Sequence, residues 1–122
     1  MPIQKPLILI CDDEEGIRES FKLILEDNYE LKFAKDGMEA LDLLDSISPR
    51  LMLLDIKMPK MHGMDILKKV KNKKPNLPVV IVTGYQSVEM ASDAIKNGAA
   101  DYIPKPFETK HIQKIVAQYL SK

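Results

Sequence analysis

Five short apolar runs alternate along the chain with five amphipathic stretches, and few architectures accommodate that order. Leu7–Cys11, Leu51–Asp55 and Pro78–Thr83 are rich in Leu, Ile and Val and lack polar alternation, the pattern of strands covered on both faces in a parallel sheet. Tyr29–Ala34 alternates more, with Leu31 and Phe33 against Glu30 and Lys32, which suits a strand nearer an edge. Ala100–Ile103 reads as a short fifth strand.

The intervening stretches carry helical spacing. Ile17, Phe21, Ile24 and Leu25 share one face of a helix within Glu14–Asp27. Asp36 is placed to cap a second, running from Gly37 to about Ile47 with Leu41 and Leu44 inward. Met64, Leu67 and Val70 mark a third. Ser87 precedes a fourth, with Met90 or Ala91, Ala94 and Ile95 inward and Asn97-Gly98 as its stop. Ile112, Ile115, Val116 and Tyr119 line the last. A β-α unit repeated five times, with right-handed crossovers, folds into a doubly wound α/β sheet with helices on both faces.

At 122 residues the chain is expected to form a single domain over 1–122. The 18 basic and 18 acidic residues cancel, which argues against a general nucleic-acid binder, since that role needs a basic footprint. No apolar run near the start is long enough for a membrane span or secretory signal, and the one cysteine excludes an internal disulfide or a Cys-rich metal site. A soluble cytoplasmic domain is the expectation.

In an open α/β sheet, ligands bind outside the carboxyl ends of the strands. Asp12 and Asp13 follow the first strand, Asp55 ends the third, Thr83 ends the fourth, and Lys105 follows the fifth. Each alone has an ordinary structural explanation, as a helix-start acid, a turn residue, a cap or a solvated lysine. At one end of one sheet they are a set. Gathered carboxylates repel unless a cation intervenes, and all-oxygen ligands without His or Cys favour a hard ion such as Mg²⁺. A nucleophilic carboxylate, a nearby lysine and a hydroxyl beside Mg²⁺ suit phosphoryl transfer.

These residues resemble the response-regulator receiver domain of two-component signalling over essentially the whole chain. The likeness rests on Asp12-Asp13, on Leu-Leu-Asp55-Ile-Lys-Met-Pro59 with Gly63 four residues on, on Val-Thr83-Gly84, on Asn97-Gly98-Ala99 ahead of Asp101-Tyr102, and on Lys105-Pro106-Phe107. The resemblance implies a flavodoxin-like fold, five parallel strands in the order 2-1-3-4-5 with five helices. It implies that Asp55 accepts a phosphoryl group from a histidine of a sensor kinase or phosphotransfer protein. Asp13 and Asp55 would bind Mg²⁺ directly, Asp12 largely through water, and the Lys57 carbonyl would complete the protein ligands. Lys105 would pair with the phosphoryl group, its bond to Pro106 being cis. Thr83 would bond a phosphoryl oxygen, Tyr102 would turn inward behind it, and a downstream protein would read the face formed by helix 4, strand 5 and helix 5. Such a domain catalyses only its own phosphorylation and dephosphorylation, with no nucleic-acid or membrane partner.

Lys57 and Tyr85 stand two residues after the acceptor and after Thr83, where a long cation and a ring would flank the phosphoryl group and obstruct a hydrolytic water. The lysines at 68, 69, 71, 73 and 74 read as a solvated helix end, His62 and His111 as surface residues, and Cys11, Met52, Met64 and Met90 as core. Three functions compete. A stand-alone receiver, similar to those of sporulation phosphorelays, is preferred. The second is the N-terminal receiver of a longer DNA-binding or enzymatic regulator, since Val82–Phe107 also resembles receivers of ATPase-type activators. A Mg²⁺-dependent aspartyl-nucleophile phosphatase is remote, because Asp55-Ile56-Lys57 lacks the second Asp that would act as general acid–base.

Overall fold

The computed structural model describes residues 5–56, 63–84 and 88–120. Strands β1 (Leu7–Cys11), β2 (Glu30–Ala34), β3 (Leu51–Leu54), β4 (Val79–Thr83) and β5 (Asp101–Pro104) alternate with helices α1 (Glu15–Leu25), α2 (Gly37–Leu44), α3 (Gly63–Lys73), α4 (Val88–Lys96) and α5 (Thr109–Leu120). All strand pairs are parallel, and the sheet order is β2-β1-β3-β4-β5. The edge position of β2 explains its alternating sequence, with Glu30 and Lys32 exposed and Leu31 and Phe33 half-buried.

The sheet splits the core in two, because successive side chains of a strand point to opposite faces. Leu9, Cys11, Met52, Leu54, Val79 and Ile81 face α2, α3 and α4, where they meet Ala40, Leu44, Ile66, Leu67, Val70 and Ala94. Ile8, Ile10, Leu51, Leu53, Val80, Val82 and Ile103 face α1 and α5, against Phe21, Leu25, Ile112, Ile115, Val116 and Leu120. Burial on both sides accounts for the unbroken apolar runs of the three central strands.

The helix ends follow from local chemistry. The Asp36 carboxylate accepts from Glu39 N–H at 2.8 Å and caps α2. Helix α4 closes in a Schellman turn. Gly98, at φ 102°, donates to the Ile95 carbonyl, and Ala99 donates to the Ala94 carbonyl at 2.9 Å. One inward assignment is corrected: Ile95 is 51% exposed, because the small Ala94 sits directly on the sheet and turns its neighbour to solvent. Tyr119 Oη donates to the Ala100 carbonyl at 3.0 Å and ties the end of α5 to the start of β5.

Candidate functional site

Three backbone hydrogen bonds carry the sheet ladder one residue past the strands and set the site. Asp12 N–H donates to Ala34 O at 3.0 Å, Asp55 N–H to Cys11 O at 3.0 Å, and Lys105 N–H to Thr83 O at 2.9 Å. Cys11 is in register with Leu54, so Asp12 and Asp55 leave adjacent strands side by side. Strand order reverses between β1 and β3, which is where an open parallel sheet leaves a crevice. Both acids are buried, Asp55 at 3% exposure.

Lys105 bridges them. Its Nζ donates to Asp12 Oδ2 at 2.8 Å and to Asp55 Oδ2 at 3.0 Å, and reaches Glu14 Oε1 at 3.4 Å. The lysine side chain is 11% exposed, whereas Glu14 is largely in solvent. Burial works to lower the Lys105 pKa, but hydrogen bonds to Asp12 and Asp55 outweigh it and hold the ammonium above its ordinary value. Burial pushes the Asp12 carboxyl up, further than Lys105 and the Glu14 N–H pull it down. The Lys105–Pro106 bond is cis.

One ammonium faces more carboxylates than it can neutralise. One ligand oxygen each from Asp12, Asp13, Glu14 and Asp55 lies within 4.8 Å of the others, with Asp12 and Asp55 buried and Asp13 and Glu14 exposed. The all-oxygen donor set, half sunk and half wet, fits a hard divalent ion that keeps part of its water, as Mg²⁺ does. Among the residues singled out in the sequence, Thr83 is fully buried at the end of β4. Tyr102 is half-buried in β5 and packs against the α2–α4 side of the core; burial, then the Asp55 charge, raises its phenol pKa. Lys57, with its carbonyl, and Tyr85 lie outside the described residues, as does His62.

Two residues near the site were not found by reading the sequence. Glu14 joins the acidic group, and Arg18 Nη1 donates to the Asp12 carbonyl at 2.8 Å. A side chain reaching a loop carbonyl leaves no periodic trace; Asp-Asp-Glu-Glu followed by Arg was the one available signal. The weaker candidates stand apart. His111 is exposed, and Cys11 is buried, its thiol pushed far up by burial and then by the neighbouring carboxylates, so it stays protonated. Lys71 Nζ donates to the Pro75 and Leu77 carbonyls, and Lys73 pairs with Asp45. An open cleft of about 430 Å³, lined by Arg50, Lys73, Lys74 and Pro78 among others, lies where β3 and β4 begin, at the opposite end of the sheet.

Comparison with known proteins identifies the family and the fold. The family model for the response regulator receiver domain matches residues 8–117. The response regulator MprA of Mycolicibacterium vanbaalenii is 35% identical over 113 residues, covering 92% of this chain and 48% of the relative. The chain thus spans about half the length of the curated relatives it matches. Among solved structures, a CheY-like receiver domain protein from Methanospirillum hungatei superposes with a TM-score of 0.92 at 34% identity, covering 97% of this chain and 95% of the other. NtrX from Brucella abortus superposes with a TM-score of 0.89 at 35% identity, over 97% of this chain and 27% of that one.

Proposed function

The chain belongs to the response regulator receiver family, and from that premise we propose that it is a phosphorylation-switched domain whose acceptor is Asp55. The observation that carries this reading is the placement of Asp55, buried at the end of β3 with Lys105 Nζ 3.0 Å from its carboxylate and Asp12 beside it. An Asp55 oxygen attacks the phosphorus of a phosphohistidine on a partner. The P–O bond forms as the P–N bond breaks, and the imidazole leaves with the nitrogen lone pair. Attack by water at the same phosphorus later releases inorganic phosphate and restores the carboxylate.

Asp13 and Asp55 would hold Mg²⁺, with Asp12 acting through water and the Lys57 carbonyl completing the set. Bound there, Mg²⁺ would offset the carboxylate charge and that of the transferring phosphoryl oxygens. Lys105 exchanges carboxylate oxygens for phosphoryl oxygens and supplies a fixed positive charge where negative charge accumulates. The Thr83 hydroxyl takes another phosphoryl oxygen, which draws the end of β4 inward and favours the inward position of Tyr102. The readout is a two-state shift, about 1–3 kcal/mol in systems of this kind, read by a protein on the α4-β5-α5 face. Lys57 and Tyr85 would flank the phosphoryl group and lengthen its life.

Intact mass after incubation with Mg²⁺ and acetyl phosphate, or with a phosphorylated histidine donor, tests the reading. One phosphoryl group is expected on the unmutated chain and none on Asp55→Asn; no gain from either donor refutes it. A second reading, as the receiver of a longer DNA-binding or enzymatic regulator and not a stand-alone relay, draws on the greater length of the relatives. The reading frame downstream of Lys122 decides between them. Among the described residues no helix is long and apolar enough to cross a membrane.

A further inference from the structure

We propose that Arg18 is a positioning residue of the phosphoryl-acceptor site, acting through the carbonyl of Asp12 to hold the acidic loop at the geometry that binds a divalent cation. The proposal rests on the receiver reading above. Its ground is the contrast between two neighbouring acids. Every polar group of Asp12 is engaged. Its N–H donates to Ala34 O, its carbonyl accepts Arg18 Nη1 at 2.8 Å, Oδ1 accepts the Glu14 N–H at 2.9 Å, and Oδ2 accepts Lys105 Nζ at 2.8 Å. Asp13 is exposed, and it shares with Asp12 the peptide whose carbonyl Arg18 holds. The Arg18 bond holds the peptide between Asp12 and Asp13, so it acts on the aim of the exposed carboxylate as well as the buried one.

The same helix grips the other side of the site. Phe21, three residues on from Arg18 and therefore on the same face of α1, stacks on Phe107 with ring centroids 4.9 Å apart. Phe107 lies two residues beyond Lys105. Helix α1 thus spans from the acidic loop to the segment that carries the lysine, and Arg18 is its hold on the acidic end.

Two effects of Arg18 oppose each other. Its positive charge repels an incoming cation, so removing it would tighten binding. Its hydrogen bond orders the ligands, so removing it would loosen binding. The charge is half-exposed and screened by solvent and salt, whereas misdirected ligand oxygens act at contact distance. Ordering therefore prevails, and the sign of the effect is the test.

The chain carrying Arg18→Ala, Arg18→Gln or Arg18→Lys is titrated with Mg²⁺ without a phosphoryl donor, following backbone amide shifts. Exchange of the Glu14 amide proton is measured separately in metal-free buffer. Arg18→Ala is expected to weaken Mg²⁺ about tenfold, the lower end of the cost of losing an outer-shell partner. It should also speed Glu14 amide exchange, and Arg18→Lys, which keeps a charged donor, should recover most of both. Arg18→Gln keeps part of the stem and carries the same expectation should Arg18→Ala fail to fold. Equal or tighter Mg²⁺ binding in Ala or Gln overturns the proposal, as does a loss that Lys does not recover. If the unmutated chain neither binds Mg²⁺ nor accepts a phosphoryl group, the receiver reading falls by itself. Unchanged Glu14 exchange in Ala or Gln would still count against Arg18 on its own.

Discussion

Gly37 and Ile66 meet where α2 begins and α3 passes behind it, so closely that a β-carbon at Gly37 would stand 2.1 Å from Ile66 Cδ1 and 2.5 Å from its Cγ1. Ile66 is fully buried in the core between α2, α3 and the sheet, so moving it means repacking its neighbours. Gly37→Ala is therefore expected to destabilise by about 1–3 kcal/mol through overpacking, despite alanine's better helix propensity. Gly16→Ala is the control. Nothing lies within 4 Å of its β-carbon position, so that change should be neutral or stabilise by up to about 1 kcal/mol. Urea unfolding of both variants checks the pair, and equal effects would contradict the steric account.

Asp55→Asn should raise metal-free stability by about 1 kcal/mol while abolishing phosphoryl gain. The asparagine oxygen can still accept from Lys105, and one buried charge leaves a group in which Asp12, Asp13, Glu14 and Asp55 crowd together. A less stable Asn variant would mean that attraction to Lys105 outweighs that crowding.

Mg²⁺ should stabilise the unmutated chain in proportion to its occupancy, by about 2.7 kcal/mol at a hundredfold excess over its dissociation constant. Asp13→Asn removes an exposed carboxylate of the proposed ligand set without touching the core, so most of the gain should vanish while metal-free stability hardly moves. Thermal melts with and without Mg²⁺ check this; an undiminished gain would take Asp13 out of the ligand set.

Tyr119 gives a dependence at alkaline pH. Burial first, then Asp101, raises its phenol pKa above the ordinary value, so the folded state favours the neutral form. That contribution is complete below the unfolded pKa of about 10 and is lost as pH rises through the folded value. Tyr119→Phe should cost about 0.5–1.5 kcal/mol at pH 8 through the bond lost to the Ala100 carbonyl. The gap between the two proteins should narrow above the unfolded pKa. Urea melts at pH 8 and about pH 11 measure it, and a constant gap would exclude this linkage.

Much of the fold was legible because its signals are local. Apolar runs with turn residues after them located β1 through β4 to within a residue, and the Asp36 cap and the Gly98 stop are side-chain and backbone chemistry written at single positions. The orientation of α4 was not. Spacing places both Ala94 and Ile95 inward, and only Ala94 is buried, because the close fit of helix on sheet takes the smaller side chain. Helix α2 ends at Leu44, short of Ile47, where Asp45 N–H bonds the Asp42 carbonyl and the last turn tightens. In the site, Asp12, Asp55, Thr83 and Lys105 were readable from strand-end positions, because a parallel sheet puts all its carboxyl ends on one edge. Glu14 and Arg18 entered through loop geometry that no spacing rule encodes.

Lys105 lies 93 residues from Asp12 and 50 from Asp55, and it follows β5, the last strand, added at the edge of the sheet opposite β2. At synthesis rates of about 5–20 residues per second, Asp55 emerges roughly 3–10 s, and Asp12 roughly 5–19 s, before their ammonium. During that interval Asp12 and Asp55 lack the Lys105 ammonium that bridges them in the folded domain. Pairing of β5 with β4 therefore both completes the ladder and delivers the charge that offsets the carboxylates, so the edge strand couples closure of the sheet to assembly of the site.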